Sequence, residues 1–381
     1  MTHLDRREVL TALASGAAAC CVARLVRAED EARGASLAVG STAGLSSTPA
    51  RWWKSAGELR VQCELCPNQC RVADRERGTC GVRENRGGKY VTLVYGRPCA
   101  LHVDPIEKKP FHHVLPGKTA LSLAAPGCNL QCKFCQNWEI SQVRPEQVQM
   151  SAESPRQIVR LAKQQGTPAI ACTYGEPVVW AEYMYDIAAA SQREGIRTLM
   201  VSNGFIEPQP MKDLATVLGA VKIDLKAYSD DFYQKQCSGQ LKPVLATLRL
   251  LAKRRVWFEI VTLVIPGLND SEAQTRALAK FVRVELGPDV PLHFTRFHPT
   301  YRLTNVPDTP VATLTRARNV ARAEGLHFVY VGNVAAHPGN NTYCPGCNKI
   351  VIRRVGIAMV KNLLVNGKCP NCQRAIPGIW T

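Results

Sequence analysis

The sequence predicts an α/β fold, a parallel sheet with outer helices, flanked on each side by a small cysteine-rich module. Three observations predict it. From Thr119 onward, apolar strand, turn and amphipathic helix alternate, the pattern of parallel strands joined by crossover helices. The 381 residues are 46% hydrophobic, enough to bury one large core. The 16 cysteines are clustered rather than scattered, which reads as metal ligation and not as a disulfide scaffold.

Along the chain, residues 1–28 form a candidate twin-arginine signal. Asp5-Arg6-Arg7-Glu8-Val9-Leu10 precedes a mildly apolar run to Ala23, and Val26 and Ala28 suit positions −3 and −1 of a cleavage site. Export to the periplasm and a cytoplasmic enzyme with an uncleaved leader both fit this segment. No stretch is long and apolar enough for an ordinary membrane span. Residues 29–50 are rich in Ala, Gly, Ser and Thr and read as a flexible linker. Residues 51–97 hold Cys63, Cys66, Cys70 and Cys80 in the spacing C-x2-C-x3-C-x9-C, which suits either zinc or a second cluster.

Residues 98–340 carry the alternating pattern. A strand at Leu121–Ala125 leads into a cysteine loop. Ser154-Pro155 caps a helix that Gly166 ends, and the strand Ala169–Thr173 follows. Helix Val178–Glu194 is closed by Gly195 before strand Thr198–Val201. Helix Met211–Leu218 ends at Gly219 before strand Val221–Leu225. Further strands are expected at Phe258–Ile265, Leu292–Phe297 and Phe328–Val331, with helices at Glu272–Leu286 and Val311–Glu324. In residues 341–381, Cys344 and Cys347 pair with Cys369 and Cys372 across a gap of 21 residues, with the look of a zinc ribbon.

The cysteine loop is the most informative run. Cys128, Cys132 and Cys135 are spaced C-x3-C-x2-C. Three thiolates on a four-iron cluster leave one iron open to a substrate or cosubstrate. The competing reading is a structural zinc site completed by Cys99 or Cys172, although zinc sites usually draw cysteines as two knuckle pairs. A parallel barrel puts its reactive loops at the C-terminal ends of its strands. The cysteine loop falls there, as do Tyr174-Gly175-Glu176-Pro177, Ser202-Asn203-Gly204-Phe205, Asp224-Leu225-Lys226, Pro266-Gly267-Leu268-Asn269-Asp270 and Phe297-His298-Pro299. Each alone is weak; their shared placement carries the reading.

With the aromatic Phe134 before its last cysteine, the loop resembles the signature of the radical S-adenosylmethionine (SAM) superfamily. The resemblance implies a partial (β/α) TIM-like barrel. It also implies a [4Fe-4S] cluster on Cys128, Cys132 and Cys135, with SAM on the open iron. Reductive cleavage of SAM would then give a 5′-deoxyadenosyl radical that takes hydrogen from a substrate. Within the superfamily, the chain looks most like activating enzymes of pyruvate formate-lyase. That likeness implies that Gly175 and Glu176 receive the SAM amino group and that Ser202 and Asn203 lie near its carboxylate or ribose. By the same likeness Lys226, beside Asp224, neutralises the carboxylate, and His298 lies near the cosubstrate. Val201 stands where those enzymes usually carry an acidic residue. The cysteine-rich flanks and the ending Ile376-Pro-Gly-Ile-Trp380 resemble the radical SAM component of the AmmeMemoRadiSam system. That implies partners of the Memo and AMMECR types and a low-potential donor of the flavodoxin or ferredoxin type.

A protein or peptide substrate is expected, with a small molecule as the enzymatic alternative. The net charge of +17 suits an acidic donor, an acidic protein or nucleic acid and does not choose among them. The rival class is a non-enzymatic iron-sulfur and zinc protein for electron transfer or nucleic-acid binding. Neither flank is strongly basic with interleaved aromatics, which argues against nucleic acid. Cys172 and Cys237 read as buried thiols.

Overall fold

The computed structural model describes Ala35–Ser36 and residues 43–381; the candidate signal 1–28 lies outside the described residues. Residues 43–50, expected as part of a flexible linker, are instead bound. Ala43 donates its N–H to the Met150 carbonyl at 2.8 Å, and Thr48–Pro49 pairs with Val91–Thr92. A sheet edge satisfies backbone groups that a free linker would leave to water.

The central sheet begins with β1 (Ala100–Pro105), antiparallel to β2 (Thr119–Ala124). From β2 the strands run parallel in chain order: β3 (Ala169–Cys172), β4 (Arg197–Ser202), β5 (Ala220–Asp224), β6 (Phe258–Val264), β7 (Leu292–Arg296) and β8 (Val329–Gly332). Ala35–Ser36 extends the other edge by pairing with β1. The seven parallel strands match the expected set to within a residue or two; β1 was not expected. All four residues of β3 are buried, as in a parallel strand covered on both faces.

Side chains alternate across each strand. On the inner face, Ala120, Ala169, Ala171, Leu199 and Ala220 pack with Ile106, Phe111, Val114 and Leu115, which plug the N-terminal end of the barrel. Further along the same faces the apolar lining gives way to Ser122, Lys222 and Asp224. On these strands the interior is therefore apolar at the floor and polar where the strands end, while on β6 and β7 the floor carries the buried pair Glu259 and His293. The outer faces pack against α1 (Pro155–Gln164), α2 (Ala181–Gln192), α3 (Pro208–Leu214), α4 (Leu241–Arg254), α5 (Glu272–Phe281) and α6 (Val311–Ala323). The expected cap of α1 is present: Ser154 Oγ accepts from the Gln157 N–H, Gln157 Oε1 accepts from the Ser154 N–H, and Pro155 opens the helix. Helix α4 was not expected.

The flanking modules sit at opposite ends. The N-terminal one is two three-stranded sheets. It docks on the reactive end through a buried bidentate ion pair from Arg83 to Glu182 at 2.7 and 3.0 Å. The C-terminal module is a sheet of β9 (Thr342–Tyr343), β10 (Ile350–Val355) and β11 (Ala358–Asn362). Its Cys344, Val351, Cys369 and Ile376 pack on Phe328 and Tyr330 at the start of β8. Beyond it, Ile379 bridges back to Val114, and the Leu115 N–H donates to the Ile379 carbonyl at 2.7 Å. Among the described residues, no helix is long and apolar enough to cross a membrane.

Candidate functional site

The loop after β2 begins at Gly127, whose φ of +96° favours glycine. A Cβ there would also meet the Cys80 carbonyl at 2.8 Å and Val82 at 2.7 Å. Glycine thus lets the N-terminal module press directly on the cysteine loop. Cys128, Cys132 and Cys135 then converge closely enough that Cys132 raises the cost of ionising both Cys128 and Cys135. The Leu130 N–H donates to Cys128 Sγ at 3.4 Å, and Asn203 Nδ2 approaches the same sulfur at 3.8 Å. Asn203 Nδ2 also donates to Asn129 Oδ1 at 2.9 Å, while Asn129 Nδ2 donates to the Phe205 carbonyl at 2.6 Å. The loops after β2 and β4 are locked together by this pair of asparagines.

Cys99 and Cys172 do not complete a zinc site with these thiols. The environment of each is set by burial and, for Cys99, its own backbone, with no neighbouring thiol. Cys237 is different. It was expected to be a plain buried thiol; it is buried, and its sulfur lies against that of Cys132. The backbone fixes that approach, since the Gln131 N–H donates to the Cys237 carbonyl at 2.8 Å and the Lys133 N–H to the Gln236 carbonyl at 2.9 Å.

Glu176 follows β3 and is buried. Its carboxylate accepts from Ser202 Oγ at 2.7 Å, the Asn203 N–H at 2.8 Å and the Val178 N–H at 3.0 Å. Burial pushes it up to about 7 against those hydrogen bonds. Gly175 keeps the turn close, because a Cβ there would stand 3.2 Å from the Ala125 carbonyl. On β5, burial alone would raise Asp224, but Lys222 and Lys226 hold its carboxyl well below the usual range. Lys226 Nζ donates to Asp224 Oδ2 at 2.7 Å, and Lys222 Nζ donates to Oδ1. Despite burial, Asp224 and the neighbouring Cys132 keep Lys226 protonated.

Gly175, Glu176, Ser202, Asn203, Asp224 and Lys226 are thus gathered with the three cysteines at one end of the barrel. Phe134 lies inside the cysteine loop itself, and His298 follows β7. The Phe134 ring is buried against Phe232, with centroids 5.8 Å apart. His298 is half exposed and pairs with Asp308 at 3.1 Å.

The chain matches the model described as "Radical SAM superfamily" over residues 123–279, which spans the cysteine loop and the loops after β3, β4 and β5. It is 43% identical over 329 residues to an uncharacterized protein of Methanocaldococcus jannaschii, covering 86% of this chain and 98% of that one. The chain belongs to the radical SAM superfamily. It is also 25% identical over 222 residues to the pyruvate formate-lyase 1-activating enzyme of Escherichia coli K12, covering 54% of this chain and 89% of that one. Among solved structures, a radical SAM methyltransferase from Sphaerobacter thermophilus aligns with a TM-score of 0.48 and 15% identity, over 81% of each chain.

As a radical SAM protein, the chain needs a cysteine set for a [4Fe-4S] cluster and a pocket for SAM. The residues fit the cluster: three converging thiols with backbone and asparagine N–H donors at the sulfur of Cys128. The zwitterionic end of SAM needs an acceptor and a cation, and Glu176 and Lys226 flank the loop with those charges.

Sequence reasoning missed a second charged group on the barrel's inner side. Asp104 on β1 is fully buried, accepts from Lys108 at 2.9 Å and Lys109 at 2.5 Å, and takes the Tyr174 hydroxyl. With Lys222, Asp224 and Lys226, it gives four ammonium groups against two carboxylates. For Lys222 the missed signal was a period of two, which puts it on the face of Asp224, opposite Val221 and Ile223.

At the far end of the molecule, Cys344 and Cys372 have sulfurs 3.4 Å apart and Cys347 and Cys369 3.6 Å apart. All four lie within 4.8 Å of one another, a set able to hold a metal ion.

Proposed function

We propose that the protein uses SAM to remove a hydrogen atom from a protein or peptide substrate. The observation that carries this reading is the gathering of three thiols at the mouth of the barrel, flanked by the acceptor Glu176 and the cation Lys226. Bound there, the cluster would supply the electron that cleaves SAM to the 5′-deoxyadenosyl radical. The chain's own residues hold and orient. Cys128, Cys132 and Cys135 would ligate iron; Glu176, its carboxylate fixed by Ser202 and Asn203, would receive the ammonium of SAM; and Lys226, steadied by Asp224, would meet the carboxylate of SAM.

Likeness to an activating enzyme supports a macromolecular substrate. By the sequence resemblance, the partners are of the Memo and AMMECR types, the donor is a flavodoxin or ferredoxin, and the C-terminal cysteines hold zinc. A second reading, a small anionic substrate, is favoured by the excess of lysines over aspartates on the inner face.

The test uses anaerobic protein, reconstituted and reduced, with SAM and material from cells grown on deuterated medium. Deuterium entering 5′-deoxyadenosine from the macromolecular fraction supports a protein substrate. Transfer from the dialysable fraction alone overturns it in favour of the small molecule. Cleavage that persists in a C128S/C132S/C135S variant would overturn the site itself.

A further inference from the structure

Cys63, Cys66, Cys70 and Cys80 form a second convergence of thiols. Cys66 feels the charge of the other three, and Cys63 and Cys66 are buried. One sulfur accepts a backbone hydrogen bond. The Thr79 N–H donates to Cys70 Sγ at 3.4 Å. The N–H groups of Leu65, Asn68 and Val82 favour the thiolates of Cys63, Cys66 and Cys80. Amides turned towards sulfur stabilise a metal-bound thiolate.

Two further features say which metal. Sulfurs around one zinc ion stand about 3.8 Å apart, given bonds of about 2.3 Å in a tetrahedron. The C-terminal set has that spacing. Among the described residues, the N-terminal four do not all fall within 4.8 Å of one another. Their spacing is thus not that of one zinc ion, and the same holds for the three thiols of the barrel loop. The second feature is a pair of stranded donors. Tyr90 is 2% exposed and its hydroxyl has no partner, nor has Arg83 Nε. From the Cβ position of Gly78, the Tyr90 hydroxyl is 2.9 Å away and Cys70 Sγ 3.5 Å. Arg83 bears electrostatically on Cys63 and Cys80. An unpartnered buried hydroxyl is costly unless something occupies the space it faces. The sulfides and thiolates of a cluster would accept from it.

We propose that Cys63, Cys66, Cys70 and Cys80 hold a second [4Fe-4S] cluster, fully ligated by protein, packed against the loop of Cys128. The two loops touch: Asn68 Nδ2 donates to the Asn129 carbonyl at 2.9 Å, and the Cys80 carbonyl abuts Gly127. The assignment of the metal does not rest on SAM chemistry, whereas the value of its location does.

The experiment counts metal in anaerobically reconstituted full-length chains. A C128A/C132A/C135A variant is expected to keep about four irons and four sulfides, where the unmodified chain holds about twice that. Its reduced electron paramagnetic resonance signal should not respond to SAM. Zinc in place of iron at this site, a two-iron cluster, or no metal beyond the C-terminal ion would overturn the proposal. Because loss of a cysteine set can also unfold the module, Tyr90→Phe supplies an independent arm. It should leave the iron count unchanged and make the SAM-insensitive signal harder to reduce, through one lost hydrogen bond to sulfur. An unchanged midpoint potential would overturn the placement of Tyr90 over the cluster. If the unmodified chain shows no SAM-responsive signal while the SAM-insensitive one is present, the catalytic reading fails and this one stands.

Discussion

The two flanking modules use the same ligand at similar spacing, C-x2-C, and differ in everything around it. At the far end, four sulfurs close to within 4.8 Å and the module seals the floor of the barrel. At the reactive end, four sulfurs stand further apart, two buried donors lack partners, and the module presses on the cysteine loop. Ligand spacing along the chain sets that a metal can be held. The size of the space and the donors facing it set which metal, and the end of the barrel sets whether it can take part in chemistry.

The largest effect separates the ends by function. Replacing Cys132 by Ala should reduce SAM cleavage to background while leaving unchanged whatever metal the C-terminal cysteines bind, as read by 5′-deoxyadenosine yield beside metal analysis. Retained cleavage would break the comparison at its root. Next is the docking of the N-terminal module. Glu182→Ala strands Arg83 inside the protein, and breaking a buried ion pair of this kind costs about 3–5 kcal/mol. Denaturant unfolding should register that loss, and the reactive end should be the part that loosens in hydrogen exchange. A loss under about 1 kcal/mol would mean that Arg83 finds another partner.

The far end is distinguished by acid. His113 is buried, with one ring nitrogen 2.6 Å from the Pro377 carbonyl and the other 2.6 Å from the Tyr330 hydroxyl. Burial depresses it to about 4 from 6.5, and His112 and His293 are also depressed by burial. Because the folded value lies below the unfolded one, the unfolded chain binds more protons below pH 6.5. The His113 contribution is complete above about 6.5 and is lost as pH falls towards 4, by about 3 kcal/mol in total. His113→Gln should flatten the fall in melting temperature over that window. An equal slope in the variant would place the acid sensitivity elsewhere.

The parallel strands were legible because each is a short apolar run bounded by a glycine-ended helix, such as Val221 to Leu225 after Gly219. Helix α4 escaped because Pro243 sits in its first turn and Lys253-Arg254-Arg255 ends it, which disguises the helical spacing of Val244, Leu248 and Leu251. Strand β1 escaped because Asp104 and His102 interrupt its apolar residues, and the buried Asp104 charge is tolerated through partners brought from Lys109 and Tyr174. The cysteine loop, Glu176, Asn203 and Lys226 could be read because each follows a recognisable strand. Asn129 could not, since its work is done across loops that are far apart in sequence.

The smallest expected effect is also the sharpest test of what makes the barrel loop different from both flanks. Each flank has four cysteines; the loop has three, and Cys237 lies beside them on a separate segment. Were Cys237 a fourth ligand, the cluster would be closed, and the loop would belong with electron carriers. An open iron requires that it stay a thiol. Cys237→Ala removes one buried sulfur at a cost of about 1 kcal/mol. It should leave iron content, the SAM-induced change in the resonance signal and the rate of 5′-deoxyadenosine formation within about twofold of the unmodified chain. Loss of the cluster in this single variant would make Cys237 a ligand and return the loop to the electron-transfer reading. Retention would leave three thiolates as the full protein complement, which is the condition for SAM to reach iron.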